Sequence, residues 1–372
     1  MPQKIVTSYV AKVRRQSGTG VMTRGIDQQH IFEVSKEHYT FQNRFRSLQD
    51  QCTPAGGCLH IAFCFDEKLV RYVLVAAASC IRTAVVPHHF HFIYPDTAEK
   101  AFVEAFRTFE KWREGHPSFP VCHFSFVPVS SETYRRLPST PSLSKAAALR
   151  LLLDSFLPQL EKVLYLDSDL FVTDSLLPIW RTELGDTLVA AVEDGLIRPG
   201  RGGAPYLRKV RLSGPYFNSG VLLIDLAKWK AHSIGERAIA ELRSDPIRCG
   251  FLDQDALNIL LEGQWTRLAD NWNLVLSSHP LASRWHDFFS RKGEPPEKGI
   301  YHFTGAGKPW STLCYSRIRY AYRALAKEVF PDFSCISSPS SFQSILAWLP
   351  GAVYRMIRAV YQQHAFSPRG HS

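Results

Sequence analysis

The sequence has no long apolar run. No stretch approaches the roughly 18 consecutive apolar residues that a membrane-spanning helix requires. Residues 1–15 carry basic side chains but lack the apolar segment of a secretory signal. These two absences predict a chain that stays in the cytoplasm and does not cross a membrane.

Paired cysteines are missing as well. The sequence contains eight cysteines but no Cys-x-x-Cys pair, and some lie in apolar runs, as Cys64 does after Ile61, Ala62 and Phe63. Such a distribution predicts reduced, small core residues rather than a disulfide framework or a cysteine-bound metal.

Positive charge is in excess without being concentrated. The net charge of +10 favours anionic partners, such as nucleic acid, an acidic membrane surface or a phosphorylated substrate. The sequence contains no zinc-finger spacing, no RNA-binding aromatic motif and no long Lys/Arg block, so we do not expect it to bind nucleic acid.

Hydrophobic residues are abundant, at 45% of the chain, which is enough for a full core. We divide the sequence into an N-terminal extension at 1–57, a catalytic domain at 58–330 and a C-terminal tail at 331–372. The extension is polar and ends in the turn-like segment 53–57, which contains one proline and two glycines.

Strand-like and helix-like patterns alternate between residues 59 and 261. Predicted strands cover 59–65, 89–94, 121–127, 163–166, 188–192 and 220–225, and predicted helices cover 69–81, 98–112, 144–156 and 253–261. This repetition predicts an α/β fold with a Rossmann-like, mostly parallel sheet and helices on both faces. Ligands of such sheets bind beyond the carboxyl ends of the strands, where Asp66 and Asp167 lie.

The tail has no acidic residue from Phe333 onward. Apolar residues recur at helical spacing between Trp348 and Tyr361, with Arg355 and Arg358 on the other side. Two interpretations fit this pattern: a basic amphipathic helix on an anionic membrane, or a C-terminal helix docked on the domain. The first would place the protein peripherally on the inner face of the cytoplasmic membrane.

The segment Asp167-Ser168-Asp169 follows a predicted strand. Two carboxylates one residue apart can bind a hard divalent cation that keeps positions open for phosphate oxygens. A turn or capping role is the alternative for this pair, and also for Asp253 and Asp255. The apolar strand before Asp167 favours the metal site because it directs the carboxylates to the binding edge.

A third metal ligand and a phosphate-binding loop follow later in the chain. His302 precedes Gly305, Gly307 and Lys308. Glycines allow the backbone to approach a diphosphate closely, and a lysine supplies a positive charge for its oxygens.

Taken in order, these and other segments resemble glycosyltransferase family 8, a retaining group that includes bacterial lipopolysaccharide galactosyl- and glucosyltransferases. The matching segments are 61–66, 149–150, 162–169, 216–224, 253–258 and 302–310. The resemblance covers about residues 58 to 315 and implies a fold of the GT-A type.

The resemblance also implies roles for individual residues. Manganese, or alternatively magnesium, would be held by Asp167, Asp169 and His302 and would bridge the diphosphate of a UDP-sugar. The donor would be bound by Asp66 at its uracil or ribose end, by Gly305 and Lys308 at the diphosphate, and by Ser168, Arg150 and Asn218. The sugar pocket and the catalytic step would involve Asp194, Asp253 and Gln254, together with Arg150 and Asn218.

The implied activity is a retaining hexosyltransferase that moves galactose or glucose from a UDP-sugar to a glycan or glycolipid acceptor, with lipopolysaccharide core as the expected acceptor. Two alternatives stay open. A sugar nucleotidyltransferase would have a glycine-rich phosphate loop early in the domain, but no glycine directly follows Phe65. A catalytically silent carbohydrate-binding protein would have the same fold. Two segments depart from the family pattern, namely 66–69 and 146–148.

Overall fold

The computed structural model describes residues 58–139, 144–198, 203–276 and 298–336, apart from 306, 313 and 315. The predicted extension at 1–57 and the predicted tail helix lie outside these residues, so both stay predictions.

The strands and helices alternate along the described chain, as the sequence predicts. The strands are β1 (Leu59–Cys64), β2 (His88–Pro95), β3 (Cys122–Val129), β4 (Lys162–Leu166), β5 (Leu170–Val172), β6 (Val189–Glu193), β7 (Phe217–Asp225), β8 (Thr266–Arg267), β9 (Leu274–Leu276) and β10 (Ile300–Phe303). The helices are α1 (Val70–Arg82), α2 (Glu99–Glu114), α3 (Ser131–Arg136), α4 (Lys145–Leu149), α5 (Leu153–Phe156), α6 (Leu177–Trp180), α7 (Ala204–Val210), α8 (Leu226–Ala231), α9 (Ile234–Ser244), α10 (Asp253–Leu260) and α11 (Arg319–Val329).

Seven strands form the central sheet in the order β3-β2-β1-β4-β7-β6-β8. Only β7 runs antiparallel to its neighbours β4 and β6, and the remaining pairs are parallel. A small second sheet has the order β5-β10-β9. The prediction of a mostly parallel α/β sheet is confirmed.

Both faces of the central sheet are covered by helices. On one face, phenylalanines of β2 and β3 pack against α2, with ring centroids 5.2 Å apart for Phe92 and Phe102 and 5.1 Å apart for Phe106 and Phe124. On the other face, Ala62 of β1 belongs to an apolar cluster with residues of α4. Deleting one such buried ring costs about 3–5 kcal/mol in other proteins.

The predicted helix over 144–156 is wrong as one continuous element. A 3-10 turn, Arg150–Leu152, separates α4 from α5. At this break two backbone carbonyls accept hydrogen bonds from side chains. Arg150 Nε donates to Ala147 O at 3.0 Å, and Trp229 Nε1 donates to Leu151 O at 3.2 Å. The chain thereby places the Arg150 guanidinium under the sheet edge.

Strand β7 begins at Phe217, earlier than predicted, and its pairing with β6 is irregular. Ala191 pairs with Leu222, whereas the next residue, Val192, pairs with Asn218. The intervening residues of β7 are therefore released from the β6 ladder, although β7 still pairs with β4. Irregular pairing of this kind is common beside active sites, because it frees backbone and side-chain groups for other contacts.

The two sheets meet at the segment 167–169. Strand β4 belongs to the central sheet and β5 to the small sheet, so the three residues between them cross from one sheet to the other. Asp167 N donates to Gly220 O at 2.9 Å, and Phe303 N donates to Asp169 O at 3.0 Å. This crossing anchors the backbone of the predicted metal ligands on both sides.

Six of the described cysteines are buried as free thiols, in agreement with the expectation of reduced core residues. Within the described ranges, none of the helices is both long and apolar enough to cross a membrane.

Candidate active site

Asp167, Asp169 and His302 come together at the junction of the sheets. His302 Nε2 lies 3.5 Å from Asp167 Oδ2 and 3.3 Å from Asp169 Oδ1. One ligand atom of each side chain lies within 4.8 Å of the others. His302 is buried, whereas the two carboxylate side chains are 20% and 17% exposed and thus reachable by a ligand. The group has the composition of a divalent cation site.

Lys308 lies against Asp169. Its Nζ contacts the carboxylate and also donates to Phe303 O at 2.6 Å. Burial alone would raise the pKa of Asp169, but the Lys308 ammonium, together with His302 when its Nε2 carries a proton, outweighs burial and holds that pKa well below its usual range. Asp169 is therefore ionised at neutral pH and available as a metal ligand.

Arg150 lies beneath Asp167 and is itself buried. Its Nη2 contacts Asp167 Oδ1 at 2.8 Å, and its Nε contacts Asp253 Oδ2 at 3.2 Å. Tyr165 completes the surroundings, since its hydroxyl donates to Asp167 Oδ1 at 2.6 Å and its ring lies 4.5 Å from the guanidinium carbon. Burial disfavours the charge on Arg150, but the two carboxylates outweigh it and raise its pKa further.

The N–H groups of this guanidinium already have several acceptors within the protein, since Nη1 also donates to Ser219 O at 2.8 Å. The structure thus gives Arg150 a clear positioning role, holding Asp167 and Asp253 in place. Direct contact of Arg150 with a donor sugar stays a prediction.

Asp253 and Gln254 begin α10 and face β7. Ser219 Oγ donates to Asp253 Oδ2 at 2.8 Å, and Ser219 N donates to Gln254 Oε1 at 3.1 Å. Burial raises the pKa of Asp253 to about 6, although Arg150 opposes the shift. The preceding Leu252 has a φ of 49°, a conformation that costs a non-glycine residue about 1–3 kcal/mol and is frequent at functional sites.

The two carboxylates of the second Asp-x-Asp pair, Asp253 and Asp255, have different surroundings. Asp255 is fully buried and accepts hydrogen bonds from the hydroxyls of Tyr206 at 2.7 Å and Tyr216 at 2.5 Å. Asp255 therefore has a structural role, whereas Asp253 contacts Arg150 and Gln254 accepts from Ser219 beside the candidate metal ligands.

Asp194 and Asn218 join the site through amide groups. Asn218 Nδ2 donates to Asp194 Oδ2 at 3.1 Å, and Gln254 Nε2 approaches the same oxygen at 3.3 Å. Asp194, Asn218, Asp253 and Gln254 thus form one buried hydrogen-bonded group beside the candidate metal ligands.

Asn273 is a site residue that the sequence analysis missed. Its Nδ2 donates to Asn218 Oδ1 at 2.9 Å, and its Oδ1 lies 3.0 Å from His302 Nδ1. The Asp194 carboxylate only accepts, so it fixes the orientation of Asn218 and, through it, that of Asn273. His302 Nδ1 must then carry the hydrogen, which leaves the lone pair of Nε2 directed at Asp167 and Asp169.

Gly220 makes room for the cluster. A Cβ at this position would lie 2.3 Å from His302 Cε1 and 2.9 Å from Asp167 Oδ2. The matched segment 216–224 pointed to this stretch of the sequence, but the close approach itself could not be seen there.

The remaining predicted residues lie around the cluster with different surroundings. Asp66 follows β1 and caps a 3-10 turn, accepting from Lys68 N at 3.1 Å. Ser168 is buried, and its hydroxyl donates to Cys64 O at 3.3 Å, so that group contacts β1. Gly305 has a φ of 72°, which favours glycine. Their contacts with a donor stay predictions.

Comparisons with known proteins identify the family of this chain. The model of glycosyl transferase family 8 matches residues 60–314, more than half of the chain. The chain belongs to glycosyltransferase family 8. It is therefore a glycosyltransferase, and the matched range contains all the site residues described above.

Relatives of this family 8 enzyme include the lipopolysaccharide 1,2-glucosyltransferase of Escherichia coli K12, which is 27% identical over 78% of this chain and 82% of that protein. General stress protein A of Bacillus subtilis strain 168 is 29% identical over 53% of this chain and 69% of that protein. The crystal structure of galactosyltransferase LgtC with donor and acceptor sugar analogs superposes with a TM-score of 0.59 at 25% identity, covering 77% of this chain and 99% of LgtC. The GT-A type of fold is thus confirmed.

A methyl group at Gly220 should disable the family 8 site without unfolding the sheet. In Gly220→Ala the new Cβ must displace His302 or Asp167, and a displacement of about 1 Å can cost on the order of 100-fold in rate. We expect donor turnover to fall by about that factor while the circular dichroism spectrum is retained. Gly214→Ala is the matched control, because its Cβ would meet only Glu262 at 3.6 Å. Wild-type turnover in Gly220→Ala would contradict the described packing.

Loss of the Asn273 amide should weaken metal binding. Asn273→Ala removes the acceptor for His302 Nδ1–H, and groups that orient metal-bound histidines contribute about 10–100-fold to affinity. A Mn²⁺ titration followed by electron paramagnetic resonance of the free ion measures this loss. Asn271→Ala serves as control, since this neighbour only donates to Lys298 O near the surface. Equal Mn²⁺ affinity in both variants would argue against the hydrogen-bond chain.

Proposed function

We propose that the protein is a retaining hexosyltransferase that transfers galactose or glucose from a UDP-sugar to a glycan acceptor, with a divalent metal held by Asp167, Asp169 and His302. The observation that carries this proposal is the convergence of these three side chains, with Lys308 beside them, at the carboxyl edge of the sheet. The phosphates of a sugar-nucleotide donor are anionic, so a metal ion at these side chains and the ammonium of Lys308 would both attract them.

The side chains present fit a metal ion. Two carboxylates and an imidazole nitrogen whose lone pair faces them would repel one another unless a proton or a cation lies between them. The donor set, with two carboxylates and one imidazole, suits Mn²⁺, and Mg²⁺ is the alternative. When bound, the ion would stabilise negative charge on the diphosphate oxygens.

The protein's own groups then assist the departure of the diphosphate. Lys308 Nζ already lies beside Asp169, within reach of a phosphate bound there, and would neutralise charge that develops on the leaving group. Arg150 holds Asp167 in position from below. In the transfer itself, the bond between the anomeric carbon and the phosphate oxygen breaks and its electrons stay on the phosphate. The acceptor hydroxyl oxygen bonds to the anomeric carbon, and its proton passes to a phosphate oxygen.

We favour this front-face route over a covalent intermediate. The side-chain oxygen of Gln254 is a weakly basic amide oxygen, and it already accepts from Ser219 N. Asp253 is tied to Arg150 and Ser219. We propose that these groups steady a cation-like sugar and that Asp194, which accepts from Asn218, binds hydroxyls of donor or acceptor.

Two observations support the choice of sugar and acceptor. The relatives named above include a lipopolysaccharide 1,2-glucosyltransferase and a galactosyltransferase. The tail from Phe333 onward contains basic but no acidic residues, which suits an acceptor presented at an anionic membrane. Lipopolysaccharide core is therefore the acceptor that we propose.

Release of UDP should require both the metal and Asp169. With Mn²⁺ and a panel of UDP-sugars, we expect release from UDP-galactose or UDP-glucose, and a decrease of at least about 100-fold in Asp169→Asn. Asp186→Asn, a change in an exposed turn, is the matched control. A protein that releases UDP from no donor would be the catalytically silent alternative, and full activity in Asp169→Asn would rule out the proposed site.

Membrane binding should depend on the tail. Deleting 337–372 keeps Ile336, whose N donates to Trp310 O at 2.8 Å, and removes the predicted amphipathic helix. We expect co-sedimentation with anionic phospholipid vesicles to fall several-fold, while UDP release stays within about twofold of the full chain. Vesicles of neutral lipid are the control. Unchanged sedimentation would instead support a tail helix docked on the domain.

A further inference from the structure

A row of histidines crosses three neighbouring strands away from the candidate active site. His60 lies on β1, His89 and His91 lie on β2, and His123 lies on β3. His60 pairs with His89, and His89 pairs with His123, so these side chains share one sheet face. They lie in the first half of each strand, whereas the candidate active site lies beyond the strands' carboxyl ends.

Three of these imidazoles are grouped closely. His60 Nδ1 lies 3.0 Å from His91 Nε2, and the rings of His89 and His91 stack with centroids 4.3 Å apart. One nitrogen from each of these three histidines lies within 4.8 Å of the other two. Ligand nitrogens in a tetrahedral zinc site lie about 3.3 Å apart, since each bond is about 2.0–2.1 Å long. Small side-chain rotations would therefore complete the geometry.

One nitrogen of this group lacks a hydrogen-bond partner among the described residues. His91 is 1% exposed and its Nδ1 is unpaired there, whereas His89 Nε2 lies 2.7 Å from Ser125 Oγ. A buried polar nitrogen without a partner costs about 1–3 kcal/mol. Burial disfavours the charged form of an imidazole, and the neutral form is the one that binds metals.

We infer that His60, His89 and His91 form a second metal site, which takes a zinc-like divalent transition metal with water in the fourth position. His60 is partly exposed and gives the ion its access, next to the Trp180 ring at 6.2 Å. Three imidazoles with an open position are a known zinc donor set.

The donor atoms distinguish this site from the one at Asp167. Nitrogen ligands without a carboxylate favour Zn²⁺, Ni²⁺ or Cu²⁺ over Mn²⁺ and Mg²⁺, which prefer oxygen. An ion held here would link β1 to β2, so it would stabilise the folded state by binding that state alone. The inference is independent of the proposed donor and acceptor.

Zinc binding is best tested in a background that lacks the first site. The full-length double variant Asp167→Asn/Asp169→Asn removes both carboxylates of that site, and calorimetric titration with Zn²⁺ then counts what remains. We expect one Zn²⁺ per chain, an increase in Tm, and little response to Mn²⁺. Adding His60→Gln should lower zinc affinity at least about 10-fold. Adding His232→Gln, at the exposed end of α8, should change nothing.

X-ray absorption at the zinc edge gives a test that needs no histidine substitution. In the same background, three imidazole nitrogens at about 2.0 Å would support the site. A zinc ion surrounded mainly by oxygen, no stoichiometric zinc, or equal affinity in the His60 and His232 variants would each overturn it. In those cases the histidines would be a stacked, hydrogen-bonded part of the core.

Discussion

Negative charge concentrated at one edge of the sheet is the constraint on which the site depends. The carboxylates concerned are Asp167, Asp169, Asp194 and Asp253. Buried like charges are costly unless each is compensated, and breaking one buried ion pair costs about 3–5 kcal/mol in other proteins. Arg150 contacts Asp167 and Asp253, Lys308 contacts Asp169, and amide groups bond to Asp194. These partners come from the end of α4, from β7 and α10, and from the loop after β10.

Strand β7 shows how the fold meets that need. Its irregular pairing with β6 releases Ser219 and Gly220 from that ladder. Ser219 N then donates to Gln254, and Gly220 N donates to Asn218 Oδ1 at 3.0 Å. In a regular strand these backbone N–H groups would hydrogen-bond to the neighbouring strand. Here they orient the polar side chains of the site instead.

Much of the fold could be predicted from the sequence, because the apolar residues of its strands and helices recur with the period of each element. The strand at 163–166 is apolar and buried in the structure, and it ends at Asp167 as predicted. The break at Arg150 could not be predicted from the local pattern, because the contacts made there include a partner far along the chain, Asp253. The local pattern at 144–156 is helical and gives no sign of that partner.

The same distinction explains which site residues were found. The segments containing Asp167, Asp169 and His302 stood out through their order and spacing, whereas Asn273 acts only through contacts 55 and 29 residues away in the chain. Its local sequence resembles an ordinary turn. Residues that orient others through side-chain amides leave no periodic pattern, so the structure is needed to find them.

The two candidate metal sites differ in chemistry because they lie at different positions along the strands of one sheet. Beyond the carboxyl ends, loops and helix N-termini can supply carboxylates together with the cations that balance them. Within the strands, pairing brings only those side chains together that share a face, as it does for His60 and His89. Neutral imidazoles can be buried there without a counter-ion, whereas carboxylates could not. The difference in metal preference between the two positions therefore follows from what each part of a strand can bury.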